Sequence, residues 1–206
     1  MLSITVNPDV LEADLAAGRL GCPGCDRPLS RWGFAREREV RMLDGVRRLR
    51  PRRARCGGCE TTHVLLDACS VPRRRDGAEV IGHALVAKAQ GHGHRTIATR
   101  LGRAPSTVRG WLRAGARRAE TLCAAALRWV RALDPAPAPA RPAGSPLGDA
   151  VEALGSAVRA CRLQLGIRAG PWELAVAITG GLLCGSARDP EPRPGSWRSS
   201  GMDVAP

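Results

Sequence analysis

The sequence predicts a mainly α chain with a small β ribbon near its N-terminus, and three observations predict it. Two Cys-x-x-Cys turns, Cys22–Cys25 and Cys56–Cys59, bracket an Arg-rich stretch with short β-type runs. From residue 76 onward apolar residues recur at helical spacing, broken by Gly-containing turns. Large aromatics are scarce, with five Trp, one Phe and no Tyr, which argues for small modules over one large aromatic core. At least one module must then be stapled by something other than apolar burial.

Taken in order, Asn7-Pro8-Asp9 starts a short helix whose Val10, Leu11 and Leu15 run to Gly18. After the first cysteine pair, residues 31–42 alternate poorly but include Trp32, Phe34, Val40 and Met42. Asp44-Gly45 is a hairpin signal, and Val46 to Arg55 is the expected return strand. Thr61 to Leu66 forms a further β-type run. Asp76-Gly77 opens a helix to about Gln90, with Val80, Ile81, Ala84, Leu85 and Ala87 inward. The loop Gly91-His92-Gly93-His94 breaks it. A short helix from about Arg95 to Leu101 ends at Gly102, and another is expected from Pro105 through Trp111 into residues 115–132.

Residues 134–146 alternate Pro and Ala and read as an extended linker. Residues 147–165 and 171–184 read as two further helices, the second started by Pro171; the tail from Gly185 has the composition of a disordered segment. The expected units are thus a ribbon with a short helix over 1–70, a three-helix unit over 76–132, a linker over 133–146, a C-terminal helical pair over 147–184 and a tail over 185–206.

Two residues between cysteines let both sulfurs of one turn face a single ion, and two such turns complete a tetrahedral four-sulfur site. Gly24, Gly57 and Gly58 relieve crowding in these turns. The 30 residues between the pairs are enough for a hairpin that brings them together. Residues 20–66 offer few apolar side chains, and metal binding can supply roughly 10–16 kcal/mol of folding free energy. One structural Zn2+ on Cys22, Cys25, Cys56 and Cys59 is therefore preferred over redox pairs, and four thiolates leave no open position for catalysis. His63, four positions after Cys59, is the alternative ligand to one of them. Cys69, Cys123, Cys161 and Cys184 are not paired at ligand spacing and read as small buried hydrophobes.

The net charge is +13, with a pI near 11.1. The choice of Arg over Lys, 31 to one, fits codon bias in a GC-rich genome, but that bias does not explain the excess of base over acid. Residues 26–55 carry 11 Arg against four acids, Arg73, Arg74 and Arg75 follow, and residues 76–118 carry +6. Beyond residue 118 nine Arg meet eight acids, so the basic surface belongs to the first 118 residues. A polyanion is the expected partner, nucleic acid being the usual one.

Residues 94–113, HRTIATRLGRAPSTVRGWLR, carry the steric pattern of a helix-turn-helix. Ala98 permits close approach of the second helix, and Gly102 can take positive φ in the turn. Val108, Trp111 and Leu112 fall inward, opposite Ile97 and Leu101. Pro105 suits the first turn, and Ser106 and Thr107 place hydroxyls where amides and the helix dipole favour phosphate. Arg109 and Arg113, at i and i+4, share an exposed face and could reach base edges, while Arg95, Arg100 and Arg103 are placed for the phosphate backbone. The plainer alternative is a three-helix bundle with a solvated basic face. Trp129 and Trp172 lie on apolar helix faces and read as packing residues; Trp197 lies in the tail.

The segments CPGC, RWGFAR, ARCGGCETTHVLL and GHGHRTIATRLGRAPSTVRGWLR resemble a family of zinc-ribbon/helix-turn-helix proteins from high-GC bacteria, often associated with transposons. The resemblance covers about residues 10–115 and extends to PWELAVAITGGLL near the end. The order of the modules is also similar to the DNA-binding front half of insertion-sequence transposases. It implies Cys22, Cys25, Cys56 and Cys59 as zinc ligands and Ser106, Thr107 and Arg109 as residues facing DNA. Ala104 departs from the capping Ser or Thr such motifs often carry, which Pro105 partly offsets.

The fold class is then an N-terminal zinc ribbon, a three-helix helix-turn-helix domain and a C-terminal helical pair. The expected partner is double-stranded DNA, and the expected role is transcriptional regulation or accessory service to a transposon. A different class of function is an assembly subunit whose Leu174–Leu183 stretch, with Val151, Leu154 and Val158, binds a transposase or a second copy of the chain. A third is RNA binding through the ribbon, with Trp32 and Phe34 as stacking platforms. Transposase catalysis needs three carboxylates on two metal ions, and the scattered acids beyond residue 118 do not form that pattern, so the expectation is a non-enzyme. No apolar run of signal-peptide or membrane-span character is present, so the expected location is the cytoplasm.

Overall fold

A computed structural model describes residues 2–4, 8–134 and 142–183, with only the backbone of the first stretch. Most of the Pro/Ala linker, the tail from residue 185, Cys184 and Trp197 lie outside the described residues. The N-terminal part contains β1 (Leu2–Ile4), α1 (Pro8–Ala16), β2 (Leu29–Phe34), β3 (Arg38–Arg41), β4 (Val46–Leu49), β5 (Arg52–Cys56) and β6 (Thr62–Asp67). Six helices follow: α2 (Ala78–Ala89), α3 (His94–Leu101), α4 (Pro105–Arg117), α5 (Ala119–Leu133), α6 (Pro146–Leu165) and α7 (Pro171–Ile178).

The ribbon is a four-stranded sheet in the order β1-β6-β5-β2, with β3 and β4 paired separately beyond it. The single return strand expected over Val46–Arg55 is divided into β4 and β5 at Arg50-Pro51. Pro51 has no N–H to give a ladder, and its carbonyl accepts from Ala35 N at 2.8 Å. β1 pairs in parallel with β6, Leu2 opposite Leu65 through Ile4 opposite Asp67, a contact with no local signal in three residues.

Beneath the sheet, Leu15, Leu20, Leu29, Ala54 and Leu65 form a small core that includes Cys22 and Cys56. The acids of α1 pair with three nearby arginines: Glu12 meets Arg31 at 3.0 Å and Arg52 at 2.7 Å, and Asp14, itself buried, meets Arg19 at 2.7 Å. That core is small for its length of chain, so burial alone contributes little here.

The helices share a second, larger core. Ile81 and Leu85 of α2 meet Ile97 and Ala98 of α3 and Val108, Trp111 and Leu112 of α4, all buried. The same core continues through Leu122 and Ala126 of α5, Leu154 and Val158 of α6, and Leu174 and Ile178 of α7. The apolar stretch from Leu174 to Leu183 is therefore almost wholly buried, whereas Leu163 of α6 is exposed.

Two expected helices differ in extent. The stretch from Pro105 is interrupted at Arg118 (φ −110°, ψ 3°), so α5 leaves at a new angle and lies along α6. Ala119, Leu122 and Ala126 of α5 are buried in the same core as the inward side chains of α6. Helix α7 stops at Ile178, short of residue 184, because Gly180 and Gly181 take positive φ (60° and 84°) and turn the chain. Ser145 caps α6 by accepting from Gly148 N at 3.1 Å. Among the described residues no helix is long and apolar enough to cross a membrane.

Helices α7 and α2 approach each other closely at one glycine. A Cβ on Gly82 would lie 1.9 to 2.5 Å from three ring atoms of Trp172, so the indole rests directly on the backbone of α2. Gly115 of α4 similarly faces Leu85, where a Cβ would be 2.7 Å from a methyl carbon.

Candidate metal centre and basic helix face

The two cysteine turns come together because β5 ends at Cys56 while Leu29, just past the first turn, pairs with it across the sheet. The donor sulfurs of Cys22, Cys25, Cys56 and Cys59 all lie within 4.8 Å of one another. Cys22 and Cys59 are 3.6 Å apart and Cys25 and Cys56 3.3 Å, too far for disulfides. Four sulfurs on a tetrahedral ion at about 2.3 Å would sit about 3.8 Å from each other, so the spacing fits such an ion. The cluster could hold a metal.

Backbone N–H groups turn towards the sulfurs, as a thiolate site requires. Gly58 N donates to Cys56 Sγ at 3.3 Å and Cys59 N at 3.5 Å. A Cβ at Gly58 would lie 2.7 Å from Arg27 Cγ, so this position needs glycine for space, whereas Gly57 meets nothing within 4 Å. His63, on β6 and buried, places Nε2 3.5 Å from Cys22 Sγ. It thus touches the cluster at Cys22, and burial lowers its pKa, which favours the neutral ring.

The sulfurs are electrostatically unequal. The Thr61 side chain and backbone bring the Cys59 thiol down to about 6. The N–H of Cys59 lowers that of Cys56. Burial pushes Cys22 up to about 11, against the opposing N–H groups of Gly24 and Cys25. Cys25 and Cys59 are exposed, Cys22 and Cys56 buried. Cys69 and Cys161 are buried, with burial raising each to about 11, and Cys123 is half-buried.

On the helices, α3 and α4 are joined by Gly102, which takes φ 62° and ψ 39° and donates to the Ala98 and Thr99 carbonyls. Only glycine adopts this conformation without strain, so the turn is set by that residue. Ala104 precedes α4 without a side-chain cap, and Pro105 opens it. Ser106, Thr107, Arg109 and Arg113 are all exposed, while Val108, Trp111 and Leu112 are buried on the other side. Arg95 and Arg100 of α3 are also exposed. Among the described residues none of Arg95, Arg100, Arg109 and Arg113 has a carboxylate within ion-pair distance.

Arg103 is different. Placed by sequence at a phosphate, it turns inward: its Nε meets Asp76, and its other nitrogens donate to the carbonyls of Leu101 at 3.0 Å and Met42 at 3.1 Å. Its side chain is 18% exposed and that of Asp76 6%. This residue ties the turn before α4 to the N-terminus of α2 and to the β3–β4 hairpin. Sequence reasoning missed it because the partners lie 27 and 61 positions away.

Trp32 and Phe34 are each about half exposed, at 49% and 50%. Arg55 lies over the Trp32 ring at 4.8 Å, and Arg52 and Arg50 over Phe34 at 4.4 and 5.2 Å.

Residues 22–111 are similar to a family described as Domain of unknown function (DUF6431). The match begins on the first cysteine of the cluster and ends on Trp111, so it takes in β2 to β6, α2, α3 and the first half of α4. No curated protein and no solved structure matches the chain.

Proposed function

We propose that the protein binds double-stranded DNA sequence-specifically, with α3 and α4 as a helix-turn-helix and α4 in the major groove. The observation that carries this reading is the outer side of α4, where Ser106, Thr107, Arg109 and Arg113 are exposed and its arginines lack carboxylate partners. Ser106 and Thr107 at the helix start serve phosphate, Arg109 and Arg113 serve base edges, and Arg95 and Arg100 flank them on the backbone. One Zn2+ on Cys22, Cys25, Cys56 and Cys59 is structural. It supplies the folding energy that the small ribbon core lacks. Sequence resemblance supports a role as transcriptional regulator or transposon accessory protein, acting without catalysis.

The test is selection of bound fragments from genomic DNA, followed by fluorescence anisotropy on a selected and a random duplex. With roughly six phosphates neutralised, log K should fall against log salt with a slope near −5. Arg109→Ala should weaken the selected duplex more than the random one. Salt-insensitive binding, or equal losses on both duplexes, would overturn this assignment.

A second reading, RNA binding through the ribbon, is favoured by the exposure of Trp32 and Phe34 beneath arginines. Tighter binding of single-stranded RNA than of duplex DNA, lost in Trp32→Ala, would select it.

A further inference from the structure

The ribbon holds more arginine than its acids can neutralise. Arg31 and Arg52 are taken by Glu12, Arg48 by Glu39 and Arg55 by Glu60. Arg36, Arg38, Arg41 and Arg75 are not: among the described residues none of them has a carboxylate within 4.0 Å. These four converge on one concave surface of about 430 Å3, between the β3–β4 hairpin and the segment before α2. Glu37, Glu39 and Val46 complete its walls, so arginines outnumber acids there four to two.

Arg38 is half-buried, and its guanidinium donates to the Arg74 carbonyl. Burial lowers its pKa from the usual arginine value. A partly desolvated cation is costly unless an anion meets it. The lining has no aromatic ring to hold a base and one apolar side chain, Val46. The chemistry suits a phosphodiester rather than a free nucleotide, whose base would find no platform.

The groove is also registered to the helices by main-chain bonds. Arg41 N donates to the Arg75 carbonyl at 2.7 Å, Gly77 N donates to the Arg41 carbonyl at 2.8 Å, and Arg103 reaches Met42 from the α3–α4 turn. A backbone strand held by α3 and α4 therefore has a second basic surface at a set distance from it.

We propose that this groove is a second phosphodiester-binding site, gripping DNA backbone outside the segment read by α4. The proposal rests on the duplex-DNA reading above. The sequence showed Arg-rich stretches, and the fold brings four of their arginines without carboxylate partners onto one surface.

The experiment measures duplex binding by anisotropy over a salt series, using the full chain with its metal bound. The variants are the double Arg36→Ala/Arg75→Ala, the double Arg36→Lys/Arg75→Lys and Arg109→Ala. The two substituted arginines are exposed, and the lysine pair keeps their charge, so a loss confined to the alanine double reports the charge itself. The alanine double is expected to reduce the salt slope by about 2, equally on selected and random duplexes, while the lysine double keeps the wild-type slope. Arg109→Ala should instead change the ratio between the two duplexes. An unchanged slope in the alanine double, with wild-type binding intact, overturns the groove alone. Equal losses in the alanine and lysine doubles would also overturn it. Absence of duplex binding by the wild type overturns the DNA reading and the groove with it.

Discussion

Replacing Gly82 by Ala sets two effects of opposite sign against each other. Gly82 lies inside α2, where Ala is favoured over Gly by about 0.8–1 kcal/mol. The added methyl, however, would sit 1.9 to 2.5 Å from Cδ2, Cε2 and Cε3 of Trp172. Ordinary carbon contacts are about 3.5–4 Å, so the indole must retreat by more than an ångström. Overpacking of this kind costs typically 1–3 kcal/mol, and the half-buried Trp172 ring also forfeits part of its packing when it leaves its seat. The clash therefore wins, with a net loss of roughly 1–2 kcal/mol and a Tm lowered by about 2–8 °C for a chain of this size. Gly110 on α4 is the internal comparison. It is exposed and a Cβ there meets nothing within 4 Å, so Gly110→Ala should raise Tm by a few degrees. Thermal unfolding followed by circular dichroism reads both. In a Trp172→Ala background the Gly82→Ala change should turn from destabilising to stabilising. A Gly82→Ala protein that melts at or above the wild-type temperature would refute the close contact between α7 and α2.

Arg103→Ala should cost about 3–5 kcal/mol, because Asp76 would be left buried without its cation; Arg100→Ala, on the surface, should stay within about 0.5 kcal/mol. Similar denaturation midpoints for the two variants would remove the bracing role of Arg103. Metal affinity should fall with pH, since Cys22 at about 11 must lose a proton to bind at neutral pH. The fall should steepen below about 6, where Cys59 also takes up a proton. A zinc titration that is flat between acid and neutral pH would contradict coordination by these thiols. In metal-free protein at neutral pH, Cys59, exposed and already ionised, should be alkylated well before the buried Cys22. Mass spectrometry of the timed products gives the order, and prior zinc loading should suppress both.

The parts of this fold that were legible in sequence are those whose chemistry restricts spacing. The short Cys-x-x-Cys spacing lets each pair turn both sulfurs to one ion, and the two pairs do lie together. Pro105, Gly102 and the inward set of Val108, Trp111 and Leu112 follow from helix periodicity and turn sterics, which are local. What escaped depends on distant partners. Arg103 looks in sequence like any other basic residue near a turn, and only Asp76 and Met42 draw it inward. The division of the return strand at Pro51 was written in the residue itself, yet the alternating arginines around it masked the break. The interruption at Arg118 has no breaker residue: no local signal marks it, and α5 beyond it packs along α6. The charge of the ribbon was evident, but which arginines stay unpaired depends on where Glu12, Glu39 and Glu60 come to rest.

The main-chain bonds between residues 75–77 and Arg41 carry a consequence for anyone dividing the gene. These few residues are at once the outer neighbour of β3 and the lead-in to α2. Severing the polypeptide there would leave the hairpin with an open edge and α2 without its entry. Lengthening it by one residue would invert the pleat, so that amides now aimed at Arg41 would face away. Side-chain substitution cannot reproduce either outcome, because the joint is made of backbone.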